Sequence, residues 1–315
     1  MQLLLINIIG KIGFDYEFTK TEQQLIFVSL AVTYQEYGID SRRNPLRKHF
    51  PLFYPQVQRA REATQHLQLL CKTTLLSFRK NQAKQENGNK NEIKTLIECI
   101  VKDQEYNNDD ERIRDLIVYL AAGFDTTSST MAWTLLELAK NPVIQNWLRR
   151  NLLQTKKEGK GEEASVALKH VIRESMRLHL AGAITALRVL TDDVDVDVDV
   201  DTKLSDGTVI PKDSIVVVPS YAMHRDAQIF KDPDRFLPRR WENATPEMNQ
   251  AWLGFGTGRR NCQGQALANA ELVTVLGILC RDFQWTLVKE GTEQCAVTLK
   301  TIGTMLRATR IAIAT

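Results

Sequence analysis

The chain has 315 residues, of which 43% are hydrophobic and 25% are charged, and its formal net charge at pH 7 is +3. This composition is ordinary for a soluble globular protein. So small a charge, without a basic run interleaved with aromatic residues, argues against nucleic acid as a partner. The five cysteines are widely spaced and no Cys-x-x-Cys pair occurs. Their spacing argues against a disulfide scaffold or a zinc site and favours a reducing compartment.

The N-terminal part of the chain is predicted to be helical. Residues 1–9 are apolar but far fewer than the ~20 residues that cross a bilayer, and they lack a basic start and a cleavage site. We therefore predict a buried helix or strand there. Helices joined by a proline-containing loop at 37–55 are expected up to residue 79. A polar stretch at 80–91 is expected to be an exposed loop or a frayed helix, and a short helix follows at 93–102.

The strongest helical pattern begins after Asn108, which has Glu111 three residues further on, as in a capping box. Apolar residues then recur at helical spacing until Pro142 ends the pattern. In the middle of this helix, small residues are followed by Asp125 and Thr126, which we call the polar notch. Buried polar groups need partners, so the notch is a candidate site. The structural alternative is that the threonine hydroxyl bonds to the carbonyl four residues earlier and has no further role.

A second helix, at about 163–178, carries Glu174 and Arg177, whose i, i+3 spacing places both side chains on one face. By itself this pair is a weak indication, because most such pairs are solvated and contribute little. Residues 193–201 alternate Asp and Val, as in a strand with one charged face. Calcium binding is one interpretation of this repeat, and a surface hairpin is the favoured one. A buried strand at 215–219 and a small sheet over 283–315 complete the predicted elements.

The segment from Phe255 to Gly264 reads Phe-Gly-Thr-Gly-Arg-Arg-Asn-Cys-Gln-Gly and leads into an apolar helical segment. Cys262 is thus expected just before a helix N-terminus, where the helix dipole and unpaired N–H groups favour a thiolate. The glycines let the backbone approach a flat partner closely, Arg260 could pair with an anionic group on it, and Phe255 could shield the sulfur. These features together describe a thiolate ligand to haem iron. The alternatives are an inert cysteine and a dinucleotide-binding loop, although Arg259 replaces the glycine that the latter needs.

The order Phe-x-x-Gly-x-Arg-x-Cys-x-Gly is complete in this segment and closely resembles the haem-binding signature of the cytochrome P-450 (haem-thiolate monooxygenase) family. The resemblance implies that Cys262 is the axial ligand of a haem b iron. It also implies that Phe255, Arg260 and Gly264 belong to the loop that binds this cofactor. Arg188 occupies the position that resembles the strand arginine that meets a haem propionate.

Two further segments resemble the same family. Ala-Gly-x-Asp-Thr-Thr in the long helix is similar to the family's oxygen-activation segment, which implies that Asp125 and Thr126 relay protons. Glu174 and Arg177 resemble a buried ion pair that supports the haem side of the core. In the family this pair is joined by an arginine from a later segment, which Pro-Asp-Arg-Phe resembles, so Arg235 is predicted as the third member of a structural network.

The resemblance implies a mainly α fold with small β-sheets, in one cytochrome P-450 domain over residues 1–315. It implies a haem-thiolate monooxygenase that inserts one oxygen atom of O2 into a small apolar substrate. The two electrons would come indirectly from NADPH, through a reductase or a ferredoxin. No Trp-x-x-x-Arg motif occurs, and the chain begins in what resembles the middle of the family's fold, so roughly its first third is expected to be missing. The full-length form is expected on the cytoplasmic side, in association with a membrane.

Three other classes stay open from the sequence. A haem-thiolate enzyme that isomerises or dehydrates its substrate would not need the pair of Asp125 and Thr126. A truncated, catalytically inactive haem-binding protein would keep the loop of Cys262 without turnover. A helical interaction protein without haem would require the loop motif to be a coincidence.

Overall fold

A computed structural model of the chain describes residues 1–50, 52–84, 95–162, 165–182, 186–189, 202–204, 206–211, 214–295 and 298–311, apart from the side chains of residues 42, 186–189 and 202–203. The Asp-Val repeat at 193–201 lies outside the described residues. The chain divides into two compact units. Unit 1 comprises Met1–Ala132 and Glu293–Ile302, and unit 2 comprises Trp133–Thr292 and Gly303–Thr315. The single domain over residues 1–315 stays a prediction.

Helices make up most of the described chain. In chain order the α-helices are α1 (Gln2–Ile8), α2 (Lys20–Thr33), α3 (Ser41–Arg43), α4 (Pro55–Lys84), α5 (Leu96–Lys102), α6 (Asp109–Lys140), α7 (Pro142–Lys157), α8 (Val166–Leu178), α9 (Ser220–Met223), α10 (Pro246–Ala251) and α11 (Gln265–Asp282). Within the described ranges, two segments are π-helical, Ile9–Gly13 and Tyr34–Asp40, and 3-10 helices occur at Pro45–His49, Pro238–Asn243 and Gly258–Arg260.

The described strands are short and pair in twos. They are β1 (Ala186–Val189), β2 (Thr202–Lys203), β3 (Val209–Ile210), β4 (Ile215–Val218), β5 (Phe283–Lys289), β6 (Thr292–Cys295), β7 (Leu299–Ile302) and β8 (Met305–Arg310). The pairs are β1 with β4, β2 with β3, β5 with β8 and β6 with β7. The first three of these pairs are antiparallel. This mainly helical architecture with small sheets is the predicted fold class.

Helix α6 has the predicted bounds. The backbone N–H of Glu111 donates to the side chain of Asn108 at 3.0 Å, which caps the helix one residue before it begins. The Glu111 carboxylate accepts from the N–H of Asn107 rather than of Asn108, so the second half of the capping box is shifted by one residue. At the other end, the Asn141 side chain donates to the carbonyl of Glu137 at 2.8 Å. Local polar caps therefore suffice to define both ends of this helix.

Several predicted elements differ in detail. Helix α1 buries Leu5 and Ile6, which confirms a buried N-terminal helix. Helix α4 continues to Lys84, beyond the predicted end at residue 79. The predicted strand at 215–219 is present as β4, but its predicted burial is wrong, because Ile215 and Val217 are exposed. Among the described strands, β4 pairs with β1 alone.

Candidate functional site

The side chains of Glu174 and Arg177 lie at the centre of a buried polar network in unit 2. Arg177 donates through Nε and Nη2 to the two carboxylate oxygens of Glu174, both at 3.0 Å, and both side chains are 0% exposed. The other N–H groups of Arg177 reach backbone carbonyls at 2.7 to 3.2 Å, those of His224, Pro233 and Arg235. Because all five guanidinium N–H groups have acceptors, the charge is buried without an unsatisfied donor.

The third charged member of this network is Arg240, and the prediction of Arg235 in that role is wrong. Arg240 Nε donates to Glu174 Oε1 at 2.9 Å, and the Trp241 indole N–H donates to Glu174 Oε2 at 3.0 Å. Arg235 contributes only its backbone carbonyl, and its side chain is 70% exposed. The 3-10 helix Pro238–Asn243 turns the chain so that the later arginine reaches the carboxylate.

His224 connects this network to the segment that precedes Cys262. Its Nδ1 lies 3.2 Å from the carbonyl oxygen of Arg177, and the backbone N–H of Leu253 donates to its Nε2 at 2.8 Å. Burial, with smaller contributions from the nearby Arg177 and Arg225 charges, lowers the pKa of His224 to about 4. The imidazole is therefore neutral at pH 7.

Aromatic packing supports the start of the same segment. The guanidinium of Arg173 stacks on the rings of Trp241 and Trp252, at 3.9 and 5.0 Å from their centroids. The Trp252 ring meets Phe255 edge-on, with 6.1 Å between ring centroids. A Cβ atom at residue 254 would lie 2.3 Å from the Trp252 ring. Gly254 is thus required by the close approach of the indole.

Residues 253–264, which we call the cysteine loop, present Cys262 at the surface of unit 2. Gly258 has a φ of +71°, in the left-handed region that favours glycine. The backbone N–H of Cys262 donates to the carbonyl of Phe255 at 2.8 Å, and helix α11 begins directly after Gly264, as predicted. The Cys262 thiol is free and exposed. The Arg260 guanidinium is also exposed and makes no hydrogen bond or ion pair with any described residue.

In unit 1, the polar notch is bonded within the chain. The buried Asp125 carboxylate contacts Lys300 Nζ at 2.7 Å, and the Thr298 hydroxyl donates to it at 2.7 Å. The Thr126 hydroxyl donates to the carbonyl of Ala122 at 3.0 Å, which is the structural alternative that the sequence left open. A buried carboxylate with two such partners is electrostatically satisfied.

The side chain of Arg188 lies outside the described residues. Its backbone is described in strand β1, where Arg188 is opposite Val216 of β4. The contact between Arg188 and a haem propionate stays a prediction.

Several residues around these groups were missed by reasoning from the sequence. His224 follows a short helix and precedes charged residues, a context typical of an exposed loop, so nothing marked its burial. Lys300 is distant from Asp125 in the chain, and no local pattern connects them. The only available signal was the run Pro-Arg-Arg-Trp, in which Arg240 and Trp241 are adjacent.

Comparison with known proteins supplies the family. A sequence model of the cytochrome P-450 family matches residues 1–312. The chain is 34% identical over 191 residues to cytochrome P-450 3A6 of Oryctolagus cuniculus, an alignment that covers 58% of this chain and 36% of the relative. It is 33% identical over 171 residues to the mitochondrial cholesterol side-chain cleavage enzyme of Rattus norvegicus, with coverages of 52% and 31%.

The chain belongs to the cytochrome P-450 family. A crystal structure of a cytochrome P-450 (CYP102L1) matches with a TM-score of 0.73 at 19% identity, over 98% of this chain and 67% of that chain. This likeness confirms the predicted fold class. The family that the sequence predicted is thus confirmed. The chain spans about a third of the length of the curated relatives it matches.

The residues of the cysteine loop fit the haem of this family. Cys262 offers a free, exposed thiol, the kind of donor that holds haem iron as a thiolate. A Cβ at Gly258 would find no atom within 4 Å, so the backbone there faces open space rather than packed side chains. Arg260 supplies a cation without a described partner, which suits an anionic propionate.

Proposed function

We propose that this chain is part of a haem-thiolate monooxygenase in which Cys262 is the axial ligand of a haem b iron. The observation that carries the proposal is the free, exposed thiol in a complete family signature. The loop that bears this thiol is anchored by a hydrogen bond from Leu253 to the buried His224. Bound haem supplies the centre at which O2 is reduced with two electrons and one oxygen atom is inserted into a substrate.

The chain's own groups bind and orient this cofactor. Arg260 and Arg188 neutralise the propionates, since a guanidinium forms strong charge-assisted hydrogen bonds with carboxylates. We assign Phe255, which precedes Cys262 in the same loop, to cover the sulfur when the cofactor is bound. Gly264 lies beside the thiol, where a Cβ would make an ordinary van der Waals contact with the Cys262 Sγ at 3.9 Å. Glu174, Arg177 and Arg240 have a structural role and contact neither substrate nor cofactor.

Asp125 and Thr126 hold and pass protons. Lys300 is 31% exposed and lies 2.7 Å from Asp125 Oδ1, so it connects the buried carboxylate to solvent. The Thr126 hydroxyl keeps its lone pairs available while its proton is donated to the carbonyl of Ala122. Proton delivery therefore requires the Thr126 hydroxyl to turn away from that carbonyl.

The test of haem ligation is the difference spectrum of the reduced protein with carbon monoxide. The parent should show the band of a thiolate-ligated haem, and Cys262→Ser should lose it. Cys295→Ser is the matched control, because Cys295 is also exposed and should leave the band intact. A thiolate band that survives in Cys262→Ser would disprove the assignment.

The substrate is a small apolar molecule and the electrons come from NADPH through a reductase or ferredoxin. Two relatives support an apolar substrate by their names, the cholesterol side-chain cleavage enzyme and a geraniol 8-hydroxylase of Swertia mussotii, 36% identical over 53% of this chain. The alternative of an inactive haem-binding or interaction protein has no specific observation in its favour. Substrate-dependent product formation, measured with a reductase and NADPH, distinguishes the two.

The surface of unit 1 supports contact with a membrane, and the family resemblance favours its cytoplasmic side. None of the described helices is long and apolar enough to cross a bilayer. Nevertheless, four large apolar side chains are exposed close together in the chain, Leu46, Phe50, Leu52 (96%) and Phe53 (78%). Exposed Lys48 lies among them, and this combination suits an anionic lipid surface.

Membrane contact is tested by sedimentation with vesicles of phosphatidylcholine and phosphatidylserine. The double variant Leu52→Ser, Phe53→Ser should bind at least about tenfold more weakly, since each side chain contributes roughly 1.5–3 kcal/mol when buried in an apolar environment. Val143→Ser, at an exposed apolar residue of unit 2, is the control. Equal binding of all three proteins would exclude this surface.

A further inference from the structure

The first residue of the cysteine loop is held by a buried histidine side chain. The backbone N–H of Leu253 donates to His224 Nε2 at 2.8 Å. A backbone N–H can only donate, so Nε2 carries no proton and the proton of the neutral ring is on Nδ1. That Nδ1–H donates to the carbonyl of Arg177 at 3.2 Å. Two backbone groups thus define the tautomer of His224.

The surroundings of His224 keep the ring neutral. The side chain is fully buried, and the guanidinium groups of Arg177 and Arg225 disfavour a second positive charge. Arg177 also donates to the carbonyl of His224 at 2.7 Å, so the ring and the backbone of His224 both bond to helix α8. The ring of Phe230 packs edge-on against the imidazole, with 6.5 Å between centroids. Nε2 therefore stays available as an acceptor.

Backbone hydrogen bonds within the loop link the position of Leu253 to that of Cys262. The carbonyl of Leu253 accepts from the N–H of Gly256 at 3.1 Å. The carbonyl of Phe255, within the same turn, accepts from the N–H of Cys262 at 2.8 Å. A displacement of Leu253 would consequently move the turn that anchors the backbone of Cys262.

We propose that His224 is a positioning residue for Cys262. By accepting the N–H of Leu253, it connects the cysteine loop to the buried network of Glu174 and Arg177 and determines where the thiol stands. This proposal rests on the proposed function only for the identity of the group that the thiol binds. The hydrogen bond from Leu253 to His224 positions the loop without a cofactor.

Three variants separate this role from simple core filling. His224→Leu keeps an apolar filling of the site and removes the acceptor. His224→Gln keeps an acceptor, since its amide oxygen can reach the position of Nε2. His170→Leu is the control, because His170 lies on helix α8 outside this chain of contacts. If His224→Leu does not fold, His224→Asn, which is too short to reach Leu253, provides the same contrast with His224→Gln.

The first measurement is amide hydrogen exchange of the protein without haem. In His224→Leu the amides of Leu253, Gly256 and Cys262 should exchange about fivefold faster, the change that loss of one ordinary hydrogen bond produces. Strands β5 and β8 should not change, and His224→Gln should restore most of the protection. An unchanged loop, or an equal increase in those strands, overturns the proposal.

The second measurement is the fraction of reduced, carbon monoxide-bound haem that shows the thiolate band. His224→Leu should lower this fraction, whereas His224→Gln and His170→Leu should retain it. If the parent forms no thiolate complex, the proposed function fails, and the exchange data still decide the role of His224. If the parent forms it and His224→Leu forms it equally, the positioning role is disproved.

Discussion

In the polar notch of helix α6, the carboxylate and the hydroxyl are both bonded within unit 1, whereas the thiol in the cysteine loop of unit 2 is left free. Asp125 contacts Lys300 and Thr298, and the hydroxyl of Thr126 donates to its own helix. Around Cys262 the bonding is to the backbone, and the thiol has no partner among the residues that the structure describes. The proposed proton-transfer groups can work while hydrogen-bonded, because such bonds exchange, whereas the proposed metal ligand needs a sulfur lone pair that no other group occupies.

The two regions also differ in what supports them. The notch is a stretch of regular helix, so its backbone needs no external help. The cysteine loop is irregular, and its first residue depends on His224 and on the buried network behind it. The largest effects on the loop should therefore come from residues that do not touch the thiol.

The largest expected effect comes from the buried network. Glu174→Ala leaves Arg177 buried without its carboxylate and should lower the free energy of unfolding by about 3–5 kcal/mol. Arg235→Ala, at the exposed arginine, should change it by less than about 0.5 kcal/mol. Urea unfolding measures both. Comparable losses in the two variants would mean that the Arg235 side chain also stabilises the network.

A pH effect of similar size should come from His224. Its folded-state pKa of about 4 lies below the ordinary 6.5, so the unfolded chain binds this proton first. Stability that is complete above pH 6.5 is lost as pH falls toward 4, at ~1.4 kcal/mol per unit, or about 3 kcal/mol in all. Between pH 7 and 4, the free energy of unfolding measured with urea should fall less steeply with decreasing pH in His224→Gln than in the parent. Equal slopes would mean that the imidazole is not kept neutral.

In the notch, substitutions of Asp125 and Thr126 should have different effects on stability and on turnover. Asp125→Asn removes the ion pair and should cost about 1–2 kcal/mol in urea unfolding, limited because Lys300 can still reach water. Thr126→Ala should cost less than about 0.5 kcal/mol, yet it should uncouple electron use from product and release peroxide. Peroxide release is measured during turnover with NADPH. Equal coupling in Thr126→Ala and the parent would remove Thr126 from the proton path.

A stability effect comparable with that of Asp125→Asn is expected in the backbone of the cysteine loop. Gly258→Ala places a Cβ on a residue with φ of +71° and should cost about 1–2 kcal/mol. Gly264→Ala is the matched control, because its φ of −83° is open to any residue. Urea unfolding compares the two. If both variants were equally stable, the loop would not depend on the left-handed turn.

Features that depend on neighbouring residues were predictable. The long helix α6 follows from apolar spacing and from polar caps within one turn of its ends, and its bounds agree with the structure. The position of Cys262 immediately before helix α11 follows from the glycine-rich run and the apolar segment after it. The pairing of Glu174 with Arg177 follows from i, i+3 spacing on one helix. In each case the interacting groups are within a few residues, so the sequence contains both partners side by side.

Tertiary structure alone decided which distant groups meet. The burial of His224, the choice of Arg240 over Arg235 and the contact of Lys300 with Asp125 depend on how loops and strands return to helices α6 and α8. No residue pattern encodes that return, because a loop's path results from the packing of its whole surroundings. The sequence by itself thus determined the family, most of the helices and the position of Cys262 before helix α11. The folded chain decided what holds the thiol in place and which carboxylate is already occupied, since those depend on contacts between segments far apart in the chain.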